Sequence, residues 1–253
     1  MTTTARPRPV NVVWFDEVDS TAALADRLMA VWIEKEEDPL PETLVVARAQ
    51  SEGRGRGANR WSSPPGGLYA NWLAWVPAAE LGLVPMAVGV ALADAVEALL
   101  PTAAVGFKWP NDLIAGGGKL GGILCHSRGS GESAWVSVGF GINLAGETGA
   151  EGAASLRALG WTGDPGAGAR AVVDAFLANV RAALADEPGT RGRWLARSVH
   201  RKGDAIRLRL EGGVVEGRFV GFDAEGRLEI ETGGETRRFS VGEVMLGDAS
   251  GGG

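Results

Sequence analysis

The stretch SEGRGRGANRW, residues 51–61, decides how the fold is interpreted, because it combines three glycines and three arginines and ends in a tryptophan. A β-branched run over residues 43–49 predicts a strand before it, and residues 68–76 predict the next strand. Glycines leave backbone N–H groups free to approach an anion, and arginines bring charged, forked donors that match phosphate or carboxylate oxygens. The stretch therefore predicts an anion-binding loop between two strands.

Three other interpretations of this loop are weaker. Residues 53–58 formally fit the dinucleotide fingerprint G-x-G-x-x-G/A, but the following residues contain Pro64 and Pro65 and cannot form the helix that this fingerprint opens. A phosphate-binding P-loop fails at residues 115–120, which lack the first glycine and the final Ser or Thr. Arginine-glycine segments that bind nucleic acid are longer and repetitive. A solvated surface loop remains as an alternative.

Outside the loop the chain mixes strands with helices. The patterns predict further strands at residues 10–15, 105–109, 119–127 and 134–140, and helices at residues 22–36, 81–100, 169–185 and 191–199, with a loop at 162–168. From residue 204 onward, short alternating runs are separated by glycine-bearing turns, which predicts a small module of about five strands. We therefore expect an α+β domain over residues 1–198, a β module over 199–247, and a flexible tail over 248–253.

Composition excludes several classes of protein. The chain has 253 residues, 45% of them hydrophobic, and a formal net charge of -6, which argues against general nucleic-acid binding. No apolar run reaches eighteen residues and no secretory signal is present, so we expect a cytoplasmic protein that does not enter a membrane. A single cysteine, Cys125, and two scattered histidines leave no internal disulfide and no plausible zinc site.

Three more short motifs lie on predicted strands. In FKWPNDL, residues 107–113, Lys108 points to the face opposite Phe107 and Trp109, because neighbouring strand residues alternate. In KLGGIL, residues 119–124, paired glycines allow close approach to the backbone, and GFGINL, residues 139–144, has the same character. Each motif alone is weak evidence of a site.

Taken in order, these motifs resemble those of the biotin protein ligases. The family markers D-S-T, Q-x-x-G-R-G-R with a closing tryptophan, K-W-P-N-D, K-[LI]-x-G-[IV]-L and G-x-G-x-N match residues 19–21, 50–61, 108–112, 119–124 and 139–143. The resemblance covers nearly the whole chain, and it is to the short form without a DNA-binding domain. It implies a mixed-sheet domain of the biotin/lipoate ligase type, similar to class II synthetases, followed by a C-terminal SH3-like β-barrel.

The resemblance also implies the activity. Such ligases activate biotin with ATP as biotinyl-5′-AMP and pass it to a lysine of a biotin carboxyl carrier protein, an acetyl-CoA carboxylase subunit. Mg²⁺ is expected with ATP rather than on a protein metal site. The implied catalytic residues are Lys108 and Arg56. The implied biotin-binding residues are Ser20, Thr21, Ala22, Gln50, Arg54, Gly55, Arg56, Lys108, Gly121 and Gly122. The implied ATP and adenylate contacts are Arg54, Arg56, Trp61, Lys119 and Asn143.

The sequence departs from the family pattern at a few positions. Asn59 replaces a further loop arginine and Arg60 follows one position later, so no triphosphate role is transferred to Arg60. Ala22 stands where asparagine is common, and residues 125–127 lack an acidic residue often found there. The alternatives are a lipoate or other acyl ligase of the same superfamily, and a non-catalytic protein that binds biotin or its adenylate. A homodimer is possible on the same resemblance, and the strands do not decide it.

Overall fold

The computed structural model describes residues 10–34, 41–129, 131–146, 149–223 and 225–245. Its larger part is a seven-stranded sheet in the order β1-β2-β3-β7-β6-β5-β4. The first two strands run parallel and every other neighbouring pair is antiparallel, so the sheet is mixed. The strands are β1 (Asn11–Val18), β2 (Thr43–Gln50), β3 (Leu68–Pro77), β4 (Gly106–Lys108), β5 (Asp112–Ala115), β6 (Gly118–Arg128) and β7 (Ser133–Ile142).

Four helices cover the two faces of this sheet. They are α1 (Thr21–Glu34), α2 (Val84–Leu99), α3 (Pro165–Ala185) and α4 (Glu187–Arg197). Helices α2 and α3 pack together over the main core, in which Phe176 of α3 contacts Trp72 and Phe140 of the sheet. Helix α1 covers the opposite face through Ala25 and Met29. Among the described residues no helix is long and apolar enough to cross a membrane.

The C-terminal module is a five-stranded antiparallel sheet in the order β11-β10-β9-β8-β12. Its strands are β8 (Ala205–Leu210), β9 (Gly213–Phe222), β10 (Leu228–Thr232), β11 (Glu235–Phe239) and β12 (Glu243–Met245). The module has its own apolar core, which Trp109 of the larger domain joins. The indole N–H of Trp109 also donates to the carbonyl oxygen of Gly226 at 3.2 Å, so the module is fixed directly beside the end of β4.

The sequence predicted the fold class and the five-stranded module, and both are confirmed. The predicted loop at residues 162–168 is partly wrong, because α3 already begins at Pro165, where Asp164 caps it by accepting from the backbone N–H of Ala167 at 2.8 Å. Helix α2 begins at Val84 rather than residue 81, and the short strand β5 was not predicted. The predicted end of α1 at residue 36 and the tail at 248–253 lie outside the described residues. The domain boundary at 198/199 stays a prediction.

Candidate active site

A cavity of about 580 Å³ lies where the glycine-arginine loop, the start of α1, the open face of the sheet and the C-terminal module meet. The loop lines it from residue 54 to Trp61, and the sheet contributes Tyr69, Gly139 and Gly141. The module contributes residues 209–211, Gly242 and Glu243. The cavity is therefore enclosed by both parts of the chain.

The glycine-arginine loop forms a tight hairpin. The backbone N–H of Gly55 donates to the carbonyl oxygen of Asn59 at 2.8 Å, and that of Trp61 donates to Gly53 at 2.9 Å. Gly53 must be a glycine, because a Cβ there would overlap the carbonyl oxygen of Trp61. The hairpin directs the guanidinium of Arg56 to the carbonyl oxygen of Gly242 at 2.8 Å, and Arg54 lies 3.7 Å from the carboxylate of Asp26.

Polar groups at the start of α1 are already paired with the end of β2. The side-chain oxygen of Gln50 accepts from the backbone N–H and the hydroxyl of Thr21, at 2.8 and 3.0 Å. The amide N–H₂ of Gln50 donates to the hydroxyl of Ser63 at 2.8 Å. Nearby, Arg27 and the backbone N–H of Ser20 hydrogen-bond to Asp19 and lower the pKa of its carboxyl to about 2. This end of the cavity is thus a fixed polar wall.

Two lysines line the cavity in different surroundings. The ammonium of Lys119 lies 2.7 Å from a carboxylate oxygen of Asp112 and 5.2 Å from the centre of the Trp61 ring. Lys108 is half-buried and has no hydrogen-bond or ion-pair partner among the described residues. Its charge, after burial itself, lowers the pKa of His200 to about 4. Lys119 is therefore held in place, whereas Lys108 carries an uncompensated positive charge.

Glycines of β6 and β7 form the floor under Trp61. A Cβ on Gly141 would lie 2.6 Å from the indole nitrogen of Trp61, and one on Gly122 would lie 3.3 Å from its ring. Gly121 faces away from the cavity, since a Cβ there would meet the carbonyl oxygen of Gly141 at 2.6 Å. The two neighbouring glycines therefore have different functions: Gly122 opens the site and Gly121 allows the strands to pack.

Asn143 lies behind the floor and is buried. Its amide N–H₂ donates to the carbonyl oxygens of Lys119 and Ala154, at 3.3 and 3.0 Å. Its side-chain oxygen has no hydrogen-bond partner among the described residues. Asn143 thus holds the backbone of Lys119 and keeps one free acceptor.

The structure brings most of the predicted site residues around one cavity. Those that line it are Ser20, Thr21, Ala22, Gln50, Arg54, Gly55, Arg56, Trp61, Lys108, Lys119 and Gly122. Gly121 and Asn143 do not line it. Sequence reasoning missed Asp112, although the residue lies inside a quoted motif, and it missed Arg209 and Glu243, which only the tertiary fold brings near. Among the described residues no group of three or more His, Cys, Asp or Glu side chains could hold a metal ion.

Two family models match the chain. The biotin/lipoate A/B protein ligase family model matches residues 23–143, and the biotin protein ligase C-terminal domain model matches residues 203–247. A biotin–[acetyl-CoA-carboxylase] ligase of Paracoccus denitrificans is 36% identical over 222 residues, which is 80% of this chain and 90% of that protein. The enzyme with the same name from Mycobacterium tuberculosis is 32% identical over 215 residues, which is 80% of this chain and 78% of that protein.

A solved structure has the same fold. The biotin protein ligase from Aquifex aeolicus, in complex with biotin and ATP, superposes with a TM-score of 0.71 at 26% identity and covers 93% of this chain and 97% of its own. The fold, the cavity and the matching models define a ligase of the biotin and lipoate class. Because similarity to the Paracoccus denitrificans enzyme extends over nine-tenths of that protein, the chain belongs to the biotin protein ligase family.

Proposed function

We propose that the chain is an ATP-dependent biotin ligase that uses this cavity for both steps of biotin transfer. In the first step a carboxylate oxygen of biotin bonds to the α-phosphorus of ATP, and pyrophosphate leaves to give biotinyl-5′-AMP. In the second step a carrier lysine amine attacks the acyl carbon, AMP leaves and the amine loses a proton. The observation that carries the proposal is a single cavity lined by six cationic side chains, by glycines and by Trp61.

The charge of the cavity suits the first step. Biotin carboxylate and ATP are both anions, so their approach requires positive charge and fixed positions. The loop supplies Arg54 and Arg56, and the sheet supplies Lys108 and Lys119. These cations stand out in a chain whose net charge is -6. The positive charge is thus concentrated where the reacting groups would meet.

Lys108 is better placed than Lys119 for the junction of carboxylate and α-phosphate. The ammonium of Lys119 is held 2.7 Å from Asp112 and lies 5.2 Å from the centre of the Trp61 ring, which itself covers Gly122 and Gly141. Lys108 is paired with Asp112 across β4 and β5, so its side chain leaves the sheet on the same face as Asp112. It has no ion-pair partner among the described residues and is therefore free to meet an anion. We assign Lys108 to the reacting atoms, as the motifs imply, and Lys119 to the nucleotide phosphates.

Adenine and magnesium are assigned to residues of the same region. The family resemblance implies an adenine contact for Asn143, whose side-chain oxygen has no hydrogen-bond partner among the described residues. Mg²⁺ is typically held by one or two carboxylates together with phosphate oxygens. Asp112 lines the cavity and would supply such a carboxylate, with the ion taking the place that the Lys119 ammonium holds in this structure. A bound Mg²⁺ would neutralise phosphate charge, and the residues of this chain would hold biotin and orient the triphosphate.

The second step requires that water is excluded from biotinyl-5′-AMP and that the carrier lysine can reach it. Biotinyl-5′-AMP is a mixed anhydride that water hydrolyses, so the hairpin loop must cover it until the carrier lysine arrives. An acetyl-CoA carboxylase carrier subunit is the proposed acceptor, in line with the names of the relatives. A cytoplasmic location, the lack of DNA binding and a homodimer remain predictions.

Pyrophosphate exchange tests the proposal. The purified protein is incubated with ATP, Mg²⁺ and labelled pyrophosphate, with biotin, lipoate and octanoate in separate reactions. Exchange with biotin alone is the expected result. Exchange only with lipoate or octanoate would show that the chain is a lipoate or other acyl ligase of the same superfamily. No exchange with any of the three acids would favour the alternative of a non-catalytic protein that binds biotin or its adenylate.

A further inference from the structure

A buried asparagine beneath the cavity has an unused hydrogen-bond donor. Asn71 lies in the middle of β3, between Val45 of β2 and Gly139 of β7, and is 1% exposed. Its side-chain oxygen accepts from the hydroxyl of Ser137 at 3.1 Å. Its amide nitrogen has no hydrogen-bond partner among the described residues. An unpaired buried amide is costly unless a ligand or water satisfies it, so its position needs a reason.

The free amide lies next to the cavity, although Asn71 itself does not line it. Directly paired residues on neighbouring strands share a face, so the side chain of Asn71 lies on the same face as the missing side chain of Gly139. A Cβ on Gly139 would lie 3.4 Å from the amide nitrogen of Asn71. Gly139 itself lines the cavity. The absence of a side chain at Gly139 thus leaves a short path from the cavity to the Asn71 donor.

The other polar side chains at this end are less available. Gln50 is bonded to Thr21 through its oxygen and to Ser63 through its nitrogen. A ligand that bound to Gln50 would have to displace these hydrogen bonds and supply a new one for each that is broken. Asn71 requires no such exchange, because Ser137 holds the oxygen and leaves the N–H₂ free. It is therefore a preorganised donor.

We propose that Asn71 donates a hydrogen bond to the ureido carbonyl oxygen of biotin and is a specificity-determining residue of the acid pocket. The inference rests on the proposed function and names a contact within it. A carbonyl oxygen is a strong acceptor, whereas thioether sulfur is a weak one. An acid whose head group offers only sulfur or carbon leaves the Asn71 amide unsatisfied. The donor therefore favours biotin over lipoate and octanoate, since a site built around a hydrogen bond discriminates strongly against analogues that lack it.

The test compares three acids in the parent and in Asn71→Leu, which removes the amide at similar volume. We expect the KM for biotin to rise about tenfold, as for the loss of one neutral hydrogen bond, while the KM for ATP stays near the parent value. Desthiobiotin keeps the ureido group and lacks sulfur, so its KM should rise by the same factor. Octanoate has no head-group acceptor, so its inhibition constant against biotin-dependent exchange should not rise.

Gly139→Ala provides a second test with Asn71 intact. The added methyl would be in ordinary van der Waals contact with the amide, so the variant should fold, but it fills the path to the cavity. It should also raise the KM for biotin. Thermal unfolding shows whether both variants fold. If Asn71→Leu does not fold, the KM for biotin of Gly139→Ala decides whether Asn71 contacts biotin.

The outcomes separate this inference from the proposed function. A parent protein without biotin-dependent exchange contradicts the proposed function itself. An active parent whose KM for biotin is unchanged in both variants overturns the role of Asn71 alone. A rise in the KM for biotin that is absent for desthiobiotin would place the contact at sulfur and overturn the ureido assignment. An equal rise in the KM for ATP would show that Asn71 supports the structure and does not contact biotin.

Discussion

The guanidinium of Arg56 donates to the carbonyl oxygen of Gly242 at 2.8 Å, a contact between residues 186 positions apart in the chain. It joins the glycine-arginine loop to the turn before β12 of the C-terminal module. The carbonyl is a neutral acceptor, so a phosphate would compete well for the same charged donor. Arg56 therefore links closure over the nucleotide with the position of the module.

Replacing Arg56 by glycine should release the intermediate. We expect Arg56→Gly to form biotinyl-5′-AMP but to lose it to solution some 10- to 100-fold faster, the range for one hydrogen bond from a charged group. Rapid gel filtration after a single turnover would measure the adenylate that remains bound. Biotinylation of unrelated lysine-rich protein added to the mixture would report the escaped adenylate.

Two matched substitutions control for this effect. Arg56→Lys keeps the charge and loses the forked geometry, so it should retain an intermediate amount of adenylate. Arg48→Ala changes an exposed arginine of β2 that does not line the cavity, and it should retain adenylate as the parent does. Retention by Arg56→Gly equal to the parent would contradict the covering role of the loop.

The two lysines of the cavity should differ in their effect on adenylation. Lys108→Ala should reduce biotin-dependent pyrophosphate exchange by 100- to 1000-fold, because it removes a cation from the reacting atoms. Lys119→Ala should act mainly by raising the KM for ATP. Steady-state exchange over a range of ATP and biotin concentrations separates the two effects.

A larger loss of maximal rate in Lys119→Ala than in Lys108→Ala would contradict the assignment of Lys108 to the reacting atoms. Asp112→Asn is a useful third variant, because it removes the carboxylate that pairs with Lys119 and keeps the shape of the side chain.

Local sequence was enough to predict most of the strands and helices, the loop between β2 and β3, and the module of five strands, whereas the mixed sheet was implied by the family resemblance. These features depend on periodicity and glycine spacing, which act over a few residues. The strand β5 was missed because its four residues follow a turn directly, and the start of α3 was missed because glycine and Pro165 resemble a loop. The position of Lys119 against Trp61 depends on strand register, which no short motif contains.

Substitutions of the two neighbouring glycines of β6 should have different effects, one on the stability of the fold and the other on biotin binding. Gly121→Ala should lower the free energy of unfolding by about 2 kcal/mol, because its Cβ would press on the backbone of Gly141. Gly122→Ala meets the Trp61 ring at 3.3 Å, so it should unfold near the parent midpoint and raise the KM for biotin. Urea unfolding and pyrophosphate exchange on both variants would measure the contrast. Equal losses of stability would show that both glycines serve strand packing.

The stability of the chain should fall in acid through His200, which joins the larger domain to the module. This histidine is 4% exposed and packs on Phe219, with ring centres 5.7 Å apart. Burial first, and the charge of Lys108 second, lower its pKa from 6.5 to about 4, against a smaller opposite effect of Asp204. In the unfolded chain, His200 is therefore protonated below about pH 6.5. In the folded chain the same imidazole stays neutral until the pH falls to about 4.

The contribution of His200 is complete above pH 6.5 and is lost as the pH falls toward 4, by about 3 kcal/mol in all. Urea unfolding at intervals from pH 7 to 4 should show this loss in the parent, and His200→Gln should flatten it in that window. His126→Gln, which changes an exposed histidine of β6, should leave the parent curve unchanged. If His200→Gln and the parent lose stability in parallel, the protonation of carboxylates, rather than of the buried imidazole, governs the acid sensitivity.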